Sequence, residues 1–278
     1  MPPESTTEIP LPLPAGLPAR LAMDHKIILF SDYDGTLSEI TPDIANAQPL
    51  PGVDQLIERL VARPDRFRVV LISGRQTEKL ARLLGVSRGI TFVGNHGLEI
   101  MEADGRSRMA VDPALFMPSL DAIREWLRKN VPLGAGFVIE DKQFSVALHY
   151  RLADPDLALT VRLRLREFVR TYTPALILGD GKLVIEAMPL QANKGAAVRA
   201  LMREAGEERL AVYFGDDTTD EDAFLALRES GVTIKVCAEP APSWARYRVA
   251  SPTAVTAALA EMASAVTEMG SAPAKEVL

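Results

Sequence analysis

Cysteine is nearly absent. Cys237 stands alone among 278 residues, so no disulfide can form within the chain, which fits a reducing compartment. It lies in the apolar stretch 232–238 and reads as a buried, inert thiol. Three histidines beside one cysteine are too small a stock for a Cys/His zinc site. Long hydrophobic runs are missing as well: no segment approaches the roughly 20 uninterrupted apolar residues of a membrane helix. There is no basic excess either. The net charge is -6, with Lys and Arg spread among Asp and Glu, whereas a nucleic-acid partner requires a clustered basic surface. The start of the chain has no basic leader and is interrupted by Pro10, Pro12, Pro14 and Pro18, which reads against a secretory signal. The expectation is a cytoplasmic protein, plausibly monomeric, with no membrane or nucleic-acid partner.

The composition, 47% hydrophobic and 24% charged, is that of a soluble globular protein. The length suits one large α/β domain or a core with an inserted unit. Residues 1–22, rich in proline, are expected to be a loose tail, and 263–278 a weakly ordered one. Between them, unbroken apolar runs recur at 27–30, 69–72, 91–93, 211–214 and 232–234. Such runs suit parallel strands buried on both faces. Helical patterns at 53–63, 77–84, 194–205 and 220–230 separate them, which implies an open, largely parallel, Rossmann-like sheet. The middle differs. Residues 137–150 and 175–186 read as strands of a hairpin-rich sheet, with Gly179-Asp180-Gly181 as a turn and helices at 119–129 and 156–171. The spacing therefore predicts a core at 23–97 and 186–262, with an α+β insertion at 98–185.

The residues with chemistry gather at strand exits. Asp32-Tyr33-Asp34-Gly35-Thr36 follows the first apolar run, beyond the carboxyl end of a strand, where open α/β sheets bind ligands. Ser73-Gly74-Arg75 follows the second, offering a hydroxyl and free N–H groups for phosphate oxygens; alone, Ser73 reads as a turn or N-cap residue. Lys194-Gly195 opens a helix and adds charge to its positive end; alone, it is a surface lysine. Gly215-Asp216-Asp217 with Asp220 follows a further strand, an oxygen-rich cluster suited to Mg²⁺. Its alternative is N-capping of the next helix, at Thr219 or Asp220.

In this order the four pieces resemble the motifs of the haloacid dehalogenase-like phosphatases, over nearly all of residues 25–260. The insertion falls where one class of that superfamily carries a mobile cap. The resemblance implies Asp32 as nucleophile, forming an aspartyl-phosphate, and Asp34 as general acid and then base. It implies Mg²⁺ held by Asp32, the Asp34 main-chain carbonyl and Asp216. Ser73, Gly74 and Lys194 would bind phosphate, and Asp217 and Asp220 would orient the ligands or the lysine.

Within the insertion, Glu140-Asp141-Lys142 and His149-Tyr150-Arg151, followed by Glu186, resemble the sugar-reading segment of the trehalose-6-phosphate phosphatase family. Gly94-Asn95-His96-Gly97 resembles that family's crossing segment. The resemblance implies a small sugar-phosphate substrate, trehalose 6-phosphate, cleaved in the last step of trehalose biosynthesis. It assigns Asn95, His96, Glu140, Lys142, His149, Arg151 and Glu186 to the sugar, and a cap that closes over it. The chain lacks the synthase domain of fused relatives and is expected to be a stand-alone phosphatase. An arginine common in the family just after Glu186 is replaced by Ala187-Met188-Pro189. Two other readings stay open: hydrolysis of another sugar phosphate, such as sucrose phosphate or mannosyl-phosphoglycerate, and sugar-phosphate binding without catalysis. From the residues alone, Glu140 and Lys142 read as an exposed ion pair.

Overall fold

Contacts divide the chain into two units, Met1–Arg108 with Asn193–Leu278, and Met109–Ala192. The computed structural model describes residues 7–41, 46–181, 183–206 and 208–271. The expected limits of the insertion, 98 and 185, both move toward the C-terminus, to 109 and 192. Hydrogen bonding moves them: Glu99–Met101 pairs antiparallel with a strand of the first unit, and Val184–Pro189 is a full strand of the second.

The first unit opens with β1 (Leu11–Pro12), α1 (Leu17–Asp24), β2 (Lys26–Ser31), α2 (Val53–Val61), β3 (Phe67–Ile72), α3 (Thr77–Leu84), β4 (Ile90–Gly94), β5 (Glu99–Met101) and β6 (Ser107–Met109). The second holds α4 (Met117–Asn130), β7 (Val138–Asp141), β8 (Val146–His149), α5 (Pro155–Tyr172), β9 (Leu176–Gly181) and β10 (Val184–Pro189). The chain returns to the first as α6 (Lys194–Ala205), β11 (Arg209–Gly215), α7 (Glu221–Leu227), β12 (Gly231–Val236), β13 (Tyr247–Val249) and α8 (Pro252–Ser271).

The first unit is a nine-stranded sheet in the order β1-β13-β12-β11-β2-β3-β4-β5-β6. Every pair from β1 to β4 is parallel. The central runs are apolar without alternation because both faces are covered. Ile27 and Leu29 of β2 join a cluster with residues of α2, α3 and α8, while Ile28 and Phe30 join one with α6 and α7. The helices follow their apolar stripes: Val53, Ile57 and Leu60 are the buried positions of α2. Gly85, in the left-handed conformation at φ 75°, ends α3.

Both tails depart from expectation. Leu11 N donates to Arg246 O at 3.1 Å and Leu13 N to Arg248 O at 3.0 Å, so β1 extends the sheet at its edge. Pro10, Pro12 and Pro14 alternate with these donors, so their missing N–H groups cost nothing there. Pro18 sits in the first turn of α1, where a helix tolerates proline. At the other end, α8 runs to Ser271 with Ala265 and Val266 buried, because its apolar positions face α1 and α2. Residues 272–278, within the segment expected to be weakly ordered, lie outside the described residues.

The second unit is a four-stranded antiparallel sheet, β7-β8-β10-β9, packed on α4 and α5. Asp154 caps α5, its carboxylate accepting from Asp156 N and Leu157 N. Among the described residues, no helix is long and apolar enough to cross a membrane.

Ala22 of α1 is fully buried, so Ala22→Asp places an unpaired carboxylate in the core. Its unfolding free energy in urea is expected to fall by at least about 3 kcal/mol. A change below about 0.5 kcal/mol, as for an exposed site, would return residues 17–24 to a loose tail.

Candidate active site

The chain runs from β2 to β3 and β4 on one side of the sheet, and from β11 to β12 and β13 on the other. The order therefore reverses between β2 and β11, the position at which open α/β sheets bind ligands. Asp32 and Asp34 leave β2, Ser73 leaves β3, Asn95 leaves β4 and Asp216 leaves β11, all at the carboxyl ends of neighbouring strands.

Lys194 stands at the first position of α6, after Asn193, whose side chain caps the helix by accepting from Ala196 N at 2.8 Å. The lysine is 2% exposed. Its Nζ lies 2.7 Å from Asp32 Oδ1 and 2.8 Å from Asp220 Oδ1. Burial works against its charge, but Asp220 and Asp32 outweigh that effect and hold the pKa above the ordinary lysine value. Asp220 is saturated. Its Oδ1 also accepts from Tyr213 OH at 2.7 Å, and its Oδ2 accepts from the backbone N of Asp216 at 3.1 Å and of Asp217 at 3.0 Å. Asp220 thus anchors the lysine and the Asp216 loop together. Asp217 caps the 3-10 turn at 218–220, so the cap lies one turn earlier than Thr219 or Asp220.

Asp216 completes the cluster. One carboxylate oxygen from each of Asp32, Asp216 and Asp220 lies within 4.8 Å of the others. Oδ1 of Asp216 is buried with no hydrogen-bond partner. Its other oxygen lies 2.1 Å from where a Cβ on Gly35 would stand. With φ 78°, Gly35 is required both by its backbone and by this approach. Burial, then the charges of Asp220 and Asp217, push Asp216 up to about 7. Burial likewise raises Asp32, with Lys194 acting against it. Three carboxylates thus face one ammonium, and a buried acceptor is left unsatisfied. An oxygen-preferring divalent cation fits both features. With Asp220 saturated, Asp32 and Asp216 are the side chains available to it.

The carboxylate of Asp34 is held by Arg75, whose Nε and Nη2 each donate to one oxygen at 2.6 Å. Ser73 is buried and its Oγ accepts from Arg75 N at 3.2 Å. Asn95 and His96 shape this loop. Asn95 N donates to Arg75 O at 2.8 Å and His96 N to Ser73 O at 3.0 Å. Both residues adopt left-handed backbone, φ 50° and 56°. The His96 ring lies 2.6 Å from where a Cβ on Gly74 would stand, so glycine is needed there.

In the second unit, Glu140 of β7 and Glu186 of β10 are both register partners of Ala147 in β8, so they share one face. His149, two residues along β8, shares it as well. The alternate positions Leu148 and Ile185 pack on the other face, against α4 and α5. Lys142 Nζ donates to Glu186 Oε2 at 2.9 Å and Ser145 Oγ to Oε1 at 2.5 Å. His149 Nε2 lies 3.0 Å from Glu140 Oε2. Lys142 thus forms an ion pair with Glu186, across from β7 on β10. Arg151 is exposed on the turn after β8.

Sequence reasoning gave no role to Tyr213, Arg75 or Ser145. Tyr213 is hidden in an apolar strand, whereas Arg75 stood inside a motif already singled out. Ser145 showed only as the polar member of an alternating strand.

A doubly wound parallel sheet with these residues at its strand exits defines the haloacid dehalogenase-like class. Residues 30–253 match the trehalose-phosphatase family, and the chain belongs to that family. A trehalose-phosphate phosphatase of Mycolicibacterium paratuberculosis is 38% identical over 213 residues, 75% of this chain and 53% of the relative. A probable trehalose-phosphate phosphatase of Oryza sativa subsp. japonica is 30% identical over 271 residues, 88% of this chain and 70% of the relative. Among solved structures, the C-terminal domain of C. albicans trehalose-6-phosphate phosphatase superposes with a TM-score of 0.76 at 25% identity, covering 94% of this chain and 99% of that one. The chain spans about half the length of the mycobacterial relatives it matches.

Lys194→Met keeps the stem but removes the ammonium between two buried carboxylates. In chelator, its unfolding free energy is expected to fall by about 3 kcal/mol. An unchanged denaturation midpoint would show that the lysine does not hold this cluster together.

Proposed function

We propose that this chain is a magnesium-dependent phosphatase that converts trehalose 6-phosphate to trehalose and phosphate through an aspartyl-phosphate on Asp32. The observation that carries the proposal is the meeting of Asp32, Lys194 and Asp216 at the reversal point of the sheet, in a member of the trehalose-phosphatase family.

Asp32 attacks phosphorus: an Asp32 oxygen–phosphorus bond forms as the bond from phosphorus to the sugar O6 breaks. Asp34 gives its proton to that leaving oxygen. In the second half, water attacks phosphorus and passes a proton back to Asp34, and the Asp32 carboxylate is released with inorganic phosphate. Lys194, which bonds Asp32 Oδ1, holds the nucleophile in one orientation and offsets the charge of the incoming phosphate. The Ser73 hydroxyl and the N–H groups of its loop receive the phosphate oxygens. Held by the Asp32 carboxylate, the Asp34 main-chain carbonyl and Asp216, Mg²⁺ would supply positive charge beside the phosphoryl oxygens. Asp217 and Asp220 fix the loop that carries Asp216.

The sugar is assigned to the polar face of the second unit's sheet. Glu140 and Glu186 offer acceptors, Lys142 a donor, and His149 either, which is what sugar hydroxyls require. Arg151 is assigned to the same substrate. Asn95 and His96 are assigned to it through the Ser73 loop they bond.

With Mg²⁺, phosphate release from trehalose 6-phosphate is expected to exceed that from glucose 6-phosphate and sucrose 6-phosphate by at least about 100-fold, because unmatched hydroxyls leave polar groups unpaired. Asp32→Asn abolishes it, and Glu140→Ala or Lys142→Ala lowers kcat/KM for trehalose 6-phosphate by about tenfold. Equal rates on the three sugars defeat the substrate assignment, and an active Asp32→Asn enzyme defeats the mechanism. Mg²⁺ at 100 times its dissociation constant is expected to raise the unfolding free energy by about 2.7 kcal/mol. An Asp216→Asn variant that gains as much stability from Mg²⁺ would remove Asp216 from the metal site.

A further inference from the structure

Arg75 has no part in the steps above, yet it is among the most constrained side chains near them. It is 10% exposed. Its Nε and Nη2 grip both oxygens of Asp34 at 2.6 Å, a parallel fork. Its guanidinium lies 5.7 Å from the centroid of the Tyr33 ring, and Tyr33 is tied down by its hydroxyl, which donates to Ala47 O at 2.9 Å. The Arg75 backbone is fixed at both ends, N to Ser73 Oγ and O from Asn95 N. Burial works against the arginine's charge, but the bonds to Asp34 outweigh it. Asp34 is more open, 38% exposed, and stands outside the group formed by Asp32, Asp216 and Asp220.

We propose that Arg75 is a positioning residue for Asp34. The fork sets the rotamer of the Asp34 side chain; in the acid step one oxygen keeps its bond to the guanidinium while the other carries the proton, so Arg75 sets the direction from which the leaving oxygen is protonated. A single charge does not suffice, because only the planar guanidinium binds both oxygens at once. This rests on the phosphatase reading above, and it makes Arg75 act on the proton rather than on the phosphoryl group.

Leaving-group dependence separates the two. A sugar alkoxide leaves only with a proton, whereas p-nitrophenolate leaves without one. The comparison is made in kcat/KM, which reports steps up to departure of the leaving group and excludes the later attack of water. Arg75→Gln and Arg75→Lys are expected to lower kcat/KM for trehalose 6-phosphate at least about tenfold more than for p-nitrophenyl phosphate. Asp34→Asn shows the same skew. The double variant Arg75→Gln/Asp34→Asn falls within about threefold of Asp34→Asn alone, as for residues acting through one group. Equal losses on both esters, full recovery by lysine, or additive losses in the double variant each overturn the role of Arg75. Where the glutamine variant does not fold, the lysine variant, which keeps charge and stem, carries the same comparison. A wild-type chain inactive on both esters overturns the phosphatase reading and this one with it, whereas an active wild type with unskewed variants overturns Arg75 alone.

Discussion

The ammonium of Lys194 between Asp32 and Asp220 is the contact that holds the first unit's cluster of acids together and on which the proposed chemistry depends. It joins the start of α6 to the exit of β2 and the turn after β11, three places far apart in sequence. Removing two charges from water is expensive, and an incomplete buried network costs more than an apolar core. The structure meets that cost by saturating Asp220 with four donors and sealing Lys194 at 2% exposure. Within the group of Asp32, Asp216 and Asp220, Oδ1 of Asp216 is buried with no hydrogen-bond partner.

The sheet topology makes this cluster possible. Because β11 and β2 are adjacent and parallel, their exits place Asp216 beside Gly35 and near Asp32. A side chain at Gly35 would displace Asp216, so the glycine of the Asp-x-Asp-Gly-Thr motif is a packing requirement as well as a turn requirement. The excess of carboxylate over ammonium has the same origin: the exits of β2 and β11 bring Asp32, Asp216 and Asp220, and the start of α6 brings Lys194 alone against them.

The second unit solves a different problem. Its antiparallel sheet has one face on α4 and α5 and leaves the other to polar residues. Register decides which residues meet there. Glu140 and Glu186 share Ala147 as a partner, and a slip of one residue would send one of them into the apolar face. Ser145 and Lys142 both bond Glu186, so this glutamate holds a defined rotamer before any ligand arrives.

Much of this was legible in the chain. Unbroken apolar runs announced buried parallel strands, because covering both faces removes alternation, and acids or hydroxyls directly after such runs fell at the strand exits. The prolines of the N-terminal segment misled, since composition records the loss of a donor but not whether an edge strand needs it; hydrogen bonding to β13 decided that. The C-terminal segment misled for a similar reason, as its apolar residues gain meaning only once α1 and α2 are in place to cover them. Pairings belong to tertiary structure alone: Lys142 with Glu186, Tyr213 on Asp220, and Arg75 on Asp34. Sequence determined which residue types stand at the ends of the strands, because local pattern sets secondary structure. Tertiary structure decided which of them touch, because a hydrogen bond between residues distant in the chain depends on strand order and register, and neither is written in local spacing.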